Sequence, residues 1–363
     1  MTANGAPSRE ADVFARIEAF RRRAPRLTDT HVTLAHGAGG KASAALLDAI
    51  FLPAFGLDAA GPLGDSALLD PFGPGRVAFT TDAYVVQPIR FPGGSVGDLA
   101  VHGTINDLAM AGARPSGITA AFVIEEGLPI DDLRDIVADM AAAATRAGVA
   151  IVAGDTKVVN RGAADGLFII TSGVGVVPTD RELGAHKVTA GDVVLVSGPI
   201  ADHGMAVMLS RGDLAIDADI RSDTAPLHGL VEDLLAAAPT TRWLRDATRG
   251  GLGTVCNELA RDADLTVVLD EASLPVRPEV AGACELLGID PLYVANEGRF
   301  VAVVAADQAD AALAAMRAHP FGAEAARIGE IRDDPKGLVV LVTPFGGTRI
   351  VDMLVGDPLP RIC

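Results

Sequence analysis

Residues 149–157 read Val149-Ala150-Ile151-Val152-Ala153-Gly154-Asp155-Thr156-Lys157, a short apolar run that stops at a glycine and then turns polar. The first five residues suit a buried strand, being apolar, partly β-branched and bounded by a turn residue. Residues 130–147 before them have a helical period, residues 116–124 before those form another apolar run, and residues 167–177 form a third. Strand, helix and strand in succession indicate an α/β domain, and an aspartate at the end of such a strand points toward the sheet edge rather than into a core.

The same alternation extends outward. Residues 76–81 read as a strand and 95–111 as a helix, so a first domain runs to about residue 180. The stretch 178–191 is polar and turn-rich, as a linker is. A second set follows, with strands predicted over 193–197, 265–269, 300–305, 326–331, 337–342 and 348–353. Its helices are predicted near 203–211, 224–237, 251–262 and 308–318. The expected class is therefore α/β with mixed sheets: an N-terminal extension at 1–30, domains at 31–180 and 190–354, and a mobile tail at 355–363. No short-period repeat or low-complexity tract is present.

Composition narrows the function. With 363 residues the chain is long enough for two cores, and 49% hydrophobic residues with 40 glycines indicate close packing rather than disorder. A formal net charge of −17 repels a phosphate backbone, so nucleic acid is not expected as a partner. No apolar run approaches the ~20 residues that span a bilayer. The first thirty residues read as a short surface helix rather than a targeting signal, which predicts a cytoplasmic protein. The three cysteines, Cys256, Cys284 and Cys363, have no zinc-ligand spacing, and the first two fall in helical patterns as core residues.

Two groups of residues can carry chemistry. The turn His36-Gly37-Ala38-Gly39-Gly40-Lys41 precedes a helix predicted over 42–51. Gly37, Gly39 and Gly40 let backbone amides approach phosphate oxygens, and Lys41 adds charge. The pattern is not a Walker A loop, because Ala42 stands where a magnesium-binding hydroxyl is needed. The second group is Asp65, Asp82, Asn106, Asp107, and Asp155 with Thr156. Converging carboxylates repel one another and a nucleotide unless a divalent cation lies between them, and Mg²⁺ with its preference for oxygen ligands suits that place. Each aspartate taken singly reads equally as a cap or turn former.

Three further features sit beside these groups. Asp98, His102 and Asn106 share one face of the helix over 95–111. Arg249, in Asp246-Ala247-Thr248-Arg249-Gly250-Gly251, can meet a phosphate or carboxylate bidentately, or be a solvated arginine on a plain turn. Glu297, in Asn296-Glu297-Gly298, reads as a capping acid or as a general base in a dry pocket.

The sequence closes with Gly356-Asp357-Pro358-Leu359-Pro360-Arg361-Ile362-Cys363. Two prolines remove donors and favour extended conformations, so these residues reach roughly 25–30 Å and suit a carrier arm ending in a thiol. A frayed end is the ordinary alternative.

Taken in order, GAGGK, GDSA, TTD, NDLAMAGARP, AGDTK, DATRGGL, NEG and the closing PRIC resemble the HypE family of hydrogenase maturation factors. That family lies within the PurM-like superfamily of aminoimidazole ribonucleotide synthetase, and the resemblance covers residues 30–363. It implies a two-domain PurM-like fold, a homodimer through the N-terminal domains, and ATP with Mg²⁺ held by Asp65, Asp82, Asp107 and Asp155. It further implies that a carbamoyltransferase, HypF, loads Cys363, that ATP-dependent dehydration turns the S-carboxamide into an S-cyanide, and that the cyanide passes to iron on HypC and HypD. Lys157 and Glu297, which fall on the family's AGDTK and NEG motifs, are then the candidates for the two proton transfers. A lysine serves as a base only where its surroundings, such as burial, lower its pKa.

Ser66 departs from the Asp-Asp pair of many superfamily members, so Asp65 stands without the second carboxylate of that pair. Selenophosphate synthetase is disfavoured because no cysteine precedes residue 256. Small-molecule kinases and ligases of the same fold have no use for a terminal thiol, and a nucleotide-gated scaffold that only presents its tail is the non-catalytic alternative.

Overall fold

In the computed structural model of the protein, the described residues are 26–38, 40–57, 66–69, 73–212, 218–353 and 361–363. Gly39, Asp65 and most of the tail, all singled out above, lie outside them. The first half comprises α1 (Lys41–Leu46), β1 (Arg76–Tyr84), α2 (Val96–Met110), β2 (Arg114–Glu125), α3 (Ile130–Ala147), β3 (Ile151–Val159) and β4 (Leu167–Val177). Its sheet has the order β1-β4-β2-β3. Only β2 and β3 run parallel, and α3 supplies the crossover that a parallel pair needs.

Helix α3 buries Leu133, Ile136, Val137, Met140 and Ala144 along one stripe, and it ends where Gly148 adopts the left-handed conformation at φ 65°. Helix α2 is different. It is buried nearly all round because the sheet, α3 and the second half each cover a side, and Ser95 with Asp98 closes a capping box at its start. Gly103 permits this packing, since a Cβ there would meet the Tyr84 hydroxyl.

The second half comprises β5 (Val193–Val196), α4 (Asp202–Ser210), α5 (His228–Ala237), β6 (Trp243–Asp246), α6 (Gly251–Ala263) and β7 (Thr266–Asp270). It continues with α7 (Pro278–Leu287), β8 (Phe300–Val304), α8 (Ala309–Ala318), β9 (Ala326–Arg332), β10 (Val339–Val342) and β11 (Thr348–Ile350). The sheet order is β11-β10-β7-β9-β5-β8-β6, antiparallel except for β10 beside β7. Strands β5 and β8 are buried on both faces, which explains their unbroken apolar sequences. One hydrophobic cluster joins Leu99, Val101 and Ile105 of the first half to Met205 and Val207 of α4, to Cys284 of α7 and to Ile362.

Two expectations are corrected. The aspartates do not end their strands: β1 continues through Asp82 to Tyr84 and β3 through Asp155 to Val159, because both remain paired with neighbours. The helix predicted over 42–51 is α only through Leu46 and then widens into a π turn over Leu47–Phe51. Among the described residues no helix is long and apolar enough to cross a membrane.

Candidate active site

Side-chain parity divides the candidate residues between two faces of the first sheet. Asp82, Thr171, Ala120 and Gly154 form one row across the sheet, while Ala83, Ile170, Ala121 and Asp155 form the next. Adjacent rows point to opposite faces. Asp82 therefore faces the helices, and Asp155 with Lys157 faces outward. Within one chain the aspartates do not converge as a single set.

The outward group sits with the glycine-rich turn. A Cβ on Gly37 would meet the Val158 amide nitrogen at 2.7 Å, so the turn packs on β3 beside Lys157. Gly40 caps α1, which begins at Lys41. Asp155 pairs with Lys157 Nζ at 2.7 Å and accepts the Thr156 amide at 2.8 Å, and the lysine bond followed by the amide bond holds its carboxyl below the usual range. Lys157 does not meet the burial condition in the single chain, since its side chain is 65% exposed.

The inward group is an acidic pocket between the two halves. Asp107 on α2 accepts a hydrogen bond from Thr80 Oγ1 at 2.8 Å, and its carboxyl is raised by burial and by Asp82. Asp246, the last residue of β6, is pushed up to about 7, chiefly by burial and then by Asp107. Glu297 is buried, its Oε1 has no partner, and burial followed by repulsion from Asp223, Asp246, Asp82 and Asp107 drives its pKa well upward. A buried carboxyl of this kind is a strong base that holds its proton until its surroundings change.

The neighbours of Glu297 fix its position. Asp223 accepts the amides of Glu297 and Gly298 at 3.1 and 3.3 Å. Asn106 donates to the carbonyls of Ala225 at 3.0 Å and Glu297 at 3.4 Å and accepts from the Leu227 amide at 2.7 Å. Its side chain is thus occupied in tying α2 to the second half. Asn296 does similar work, accepting the Ala201 amide at 2.7 Å and donating to the Ala247 carbonyl at 2.8 Å. Arg249 is exposed on the turn before α6.

The tail residues that are described are docked. Ile362 is 3% exposed and its carbonyl receives His203 Nε2 at 2.9 Å. The Cys363 carbonyl accepts the Val85 amide at 3.2 Å, and the Arg361 carbonyl accepts Gln87 at 3.3 Å and Arg211 at 2.9 Å. The Arg361 guanidinium pairs with Asp165. The expectation of a free arm meets an end held at the exit of β1, one residue beyond Tyr84, because Ile362 finds an apolar seat there. Burial pushes Cys256 up to about 12 and Cys284 up to about 11, as befits core thiols, while Cys363 is half-buried.

Asp223, Asp246 and His203 did not emerge from sequence reading. Asp246 ends a strand and could have been found by the criterion applied to Asp82. His203 and Asp223 carry no local signal, since their roles depend on partners from distant segments.

Among the described residues no three carboxylate, histidine or cysteine side chains stand close enough to enclose a metal ion. The donor set nevertheless fits Mg²⁺, which binds through one or two carboxylates with phosphate and water oxygens completing its shell. The raised acids and the partnerless Glu297 oxygen also describe oxygen donors whose ionised forms a cation would stabilise.

The chain resembles known proteins over almost its whole length. Residues 63–177 match the family model of the AIR synthase related protein N-terminal domain, and residues 189–342 that of the C-terminal domain. The chain is 54% identical over 340 residues to carbamoyl dehydratase HypE of Rhodobacter capsulatus, covering 93% of this chain and 99% of the relative. It is 45% identical over 337 residues to the Escherichia coli HypE, covering 92% and 99%. A crystal structure of hydrogenase maturation protein HypE in complex with ATP superposes with a TM-score of 0.86 at 45% identity, covering 91% of this chain and 99% of that one. A HypE–HypF complex matches with a TM-score of 0.74 at 48% identity, covering 77% and 90%. Two sheets of this topology, buried acids between them and a final cysteine whose backbone bonds to Val85 thus accompany homology over almost the whole length, and the chain belongs to the HypE family of carbamoyl dehydratases.

Proposed function

We propose that this chain converts an S-carboxamide on Cys363 to an S-cyanide, with ATP and Mg²⁺, as a step in supplying cyanide ligands for hydrogenase iron. The observation that carries the reading is the docked Cys363, whose carbonyl bonds to Val85 just past the strand that bears Asp82. Val85 lies three residues beyond Asp82, so the backbone of Cys363 is anchored close in sequence to one of the acids.

An amide oxygen is a poor leaving group. Transfer of the γ-phosphoryl group to it makes phosphate the leaving group, and loss of two N–H protons with cleavage of the C–O bond leaves the nitrile, ADP and phosphate. Mg²⁺ would be held by Asp82 and Asp107 together with Asp65 and would supply charge stabilisation at the phosphates, whereas Asp155, on the opposite face of the sheet, would join that set only across a dimer. Gly37, Gly39, Gly40, Lys41, Thr156 and Arg249 are assigned to the nucleotide. Glu297 is assigned one proton transfer. Its raised pKa makes it a strong base once its proton has been released, and Asp223 and Asn106 hold its backbone.

Lys157 is assigned the other transfer, and this requires its exposed face to be covered. That face carries Val77 and Phe79 at 59% and 73% exposure, beside Ile170, Val174 and Val176 of β4. An apolar sheet face of this extent calls for a partner, which supports a homodimer through the N-terminal sheets. HypF is the proposed source of the carbamoyl group, and the HypC–HypD complex the proposed acceptor of cyanide.

Phosphate release tests the catalytic reading. ATP turnover is expected only after Cys363 has been carbamoylated, with one phosphate per loaded chain. Equal turnover by unloaded protein, or by Cys363→Ala, points instead to a small-molecule kinase of the same fold.

A further inference from the structure

His203 lies on α4, fully buried and far in sequence from every motif discussed above. Its two ring nitrogens have different partners. Nδ1 is 2.8 Å from Ser222 Oγ, and Nε2 is 2.9 Å from the Ile362 carbonyl oxygen. Ser222 Oγ also accepts the Thr224 amide at 3.1 Å, so its own proton is available to Nδ1. A carbonyl accepts only, and Nε2 must therefore carry the hydrogen. The ring is a neutral Nε2–H donor, its tautomer set by the Ile362 carbonyl and compatible with a Ser222 hydroxyl donating to Nδ1. The Phe91 ring meets it edge-on at 5.4 Å, and burial disfavours its cationic form.

We propose that His203 is the positioning residue of the carrier arm: its Nε2–H, with Nδ1 held by Ser222, seats Ile362 so that Cys363 stops at the exit of β1. The inference rests on the dehydratase reading for its consequence and on the hydrogen bonds for its geometry.

The seat also connects to the pocket through one tripeptide. Ser222 orients His203, Asp223 holds the amides of Glu297 and Gly298, and Thr224 Oγ1 lies 3.0 Å from His102 Nδ1 on α2. A single extended segment thus fixes the arm, the candidate base and the facing helix. Arg211 adds a second clamp, donating to the carbonyls of Arg361 and Gln87, each at 2.9 Å.

Amide exchange at Val85 and Gln87 reads docking directly, because those N–H groups donate to Cys363 and Arg361. A chain ending at residue 360 defines the undocked exchange rate. Loss of one buried hydrogen bond in His203→Ala is expected to raise exchange at both amides about tenfold. His203→Gln, whose amide can donate from near the Nε2 position, restores protection. Arg211→Ala, which leaves the core intact, gives a smaller rise and serves should His203→Ala fail to fold.

Loading and dehydration are then timed separately. In His203→Ala, carbamoyl transfer onto Cys363 by HypF is expected to proceed at the wild-type rate or faster, while dehydration slows and His203→Gln recovers it. Wild-type exchange at Val85 and Gln87 in His203→Ala, or loss that His203→Gln does not restore, overturns the positioning role. Wild-type protein that loads but never dehydrates sinks the catalytic reading instead, and leaves the exchange result to decide the seat.

Discussion

Asp223 and Glu297 stand 74 residues apart in sequence, and the carboxylate of the first receives the amide of the second at 3.1 Å. The acid that orients the loop is also among the charges that keep Glu297 protonated. One carboxylate therefore sets both the position and the proton affinity of the candidate base.

Asp223→Ala removes two bonds to a buried carboxylate that also lies 3.6 Å from Arg299 Nε. A loss of about 3 kcal/mol in unfolding free energy is expected, readable by urea titration. Gly298→Ala is expected to be worse still, because a Cβ at that position would meet the Asp223 carbonyl.

Glu297→Gln separates stability from activity. The raised pKa means that the folded state holds a proton that the unfolded chain releases, so the ionised form costs stability increasingly as pH rises above the ordinary value of 4.5. The neutral isostere escapes that cost. Its melting temperature at pH 7 should exceed the wild-type value, while single-turnover dehydration falls about a hundredfold or more. A variant with wild-type dehydration rates removes Glu297 from the chemistry.

His102 predicts an acid limit. Its pKa is lowered from 6.5 to about 3 by burial first and then by Arg146. Between those values the unfolded chain is protonated and the folded chain is not, so stability rises with pH through the window and is lost toward its lower end. The slope from this residue is about 1.4 kcal/mol per pH unit below 6.5. Buried His203 adds in the same direction. Urea titrations at pH 7 and pH 5 should show a smaller difference in His102→Gln than in wild type.

Phe79→Glu places a charge on the exposed face of β1. Sedimentation should show a dimer for wild type and a monomer for the variant, with the variant's fold intact by circular dichroism. Dimeric Phe79→Glu moves the interface elsewhere.

Much of the fold was legible because period and sequence coincide. Helix α3 and strand β4 have the predicted bounds, since a clean apolar stripe and a run ended by Pro178 leave little choice. Strands β1 and β3 were read short because reading stopped at Asp82 and at Gly154, whereas the ladders continue past both. The site was harder to read. The residue types were evident, but the separation of Asp82 from Asp155 depends on parity across β4 and β2, and one residue of register reverses it. Asn106, read as a nucleotide contact, is engaged by backbone from the second half. The seat of Ile362 depends on α4, a helix that carries no motif.

On the proposed reading, Cys363 carries the group on which the acidic pocket acts. Intact mass after incubation with HypF, carbamoyl phosphate and ATP tests it most directly, with Cys363→Ala as control. Expected on the wild-type chain are the mass of one carbamoyl group and then loss of one water once ATP is supplied, with neither change in the control. An adduct that persists unchanged with ATP, or one that forms equally on Cys363→Ala, contradicts it.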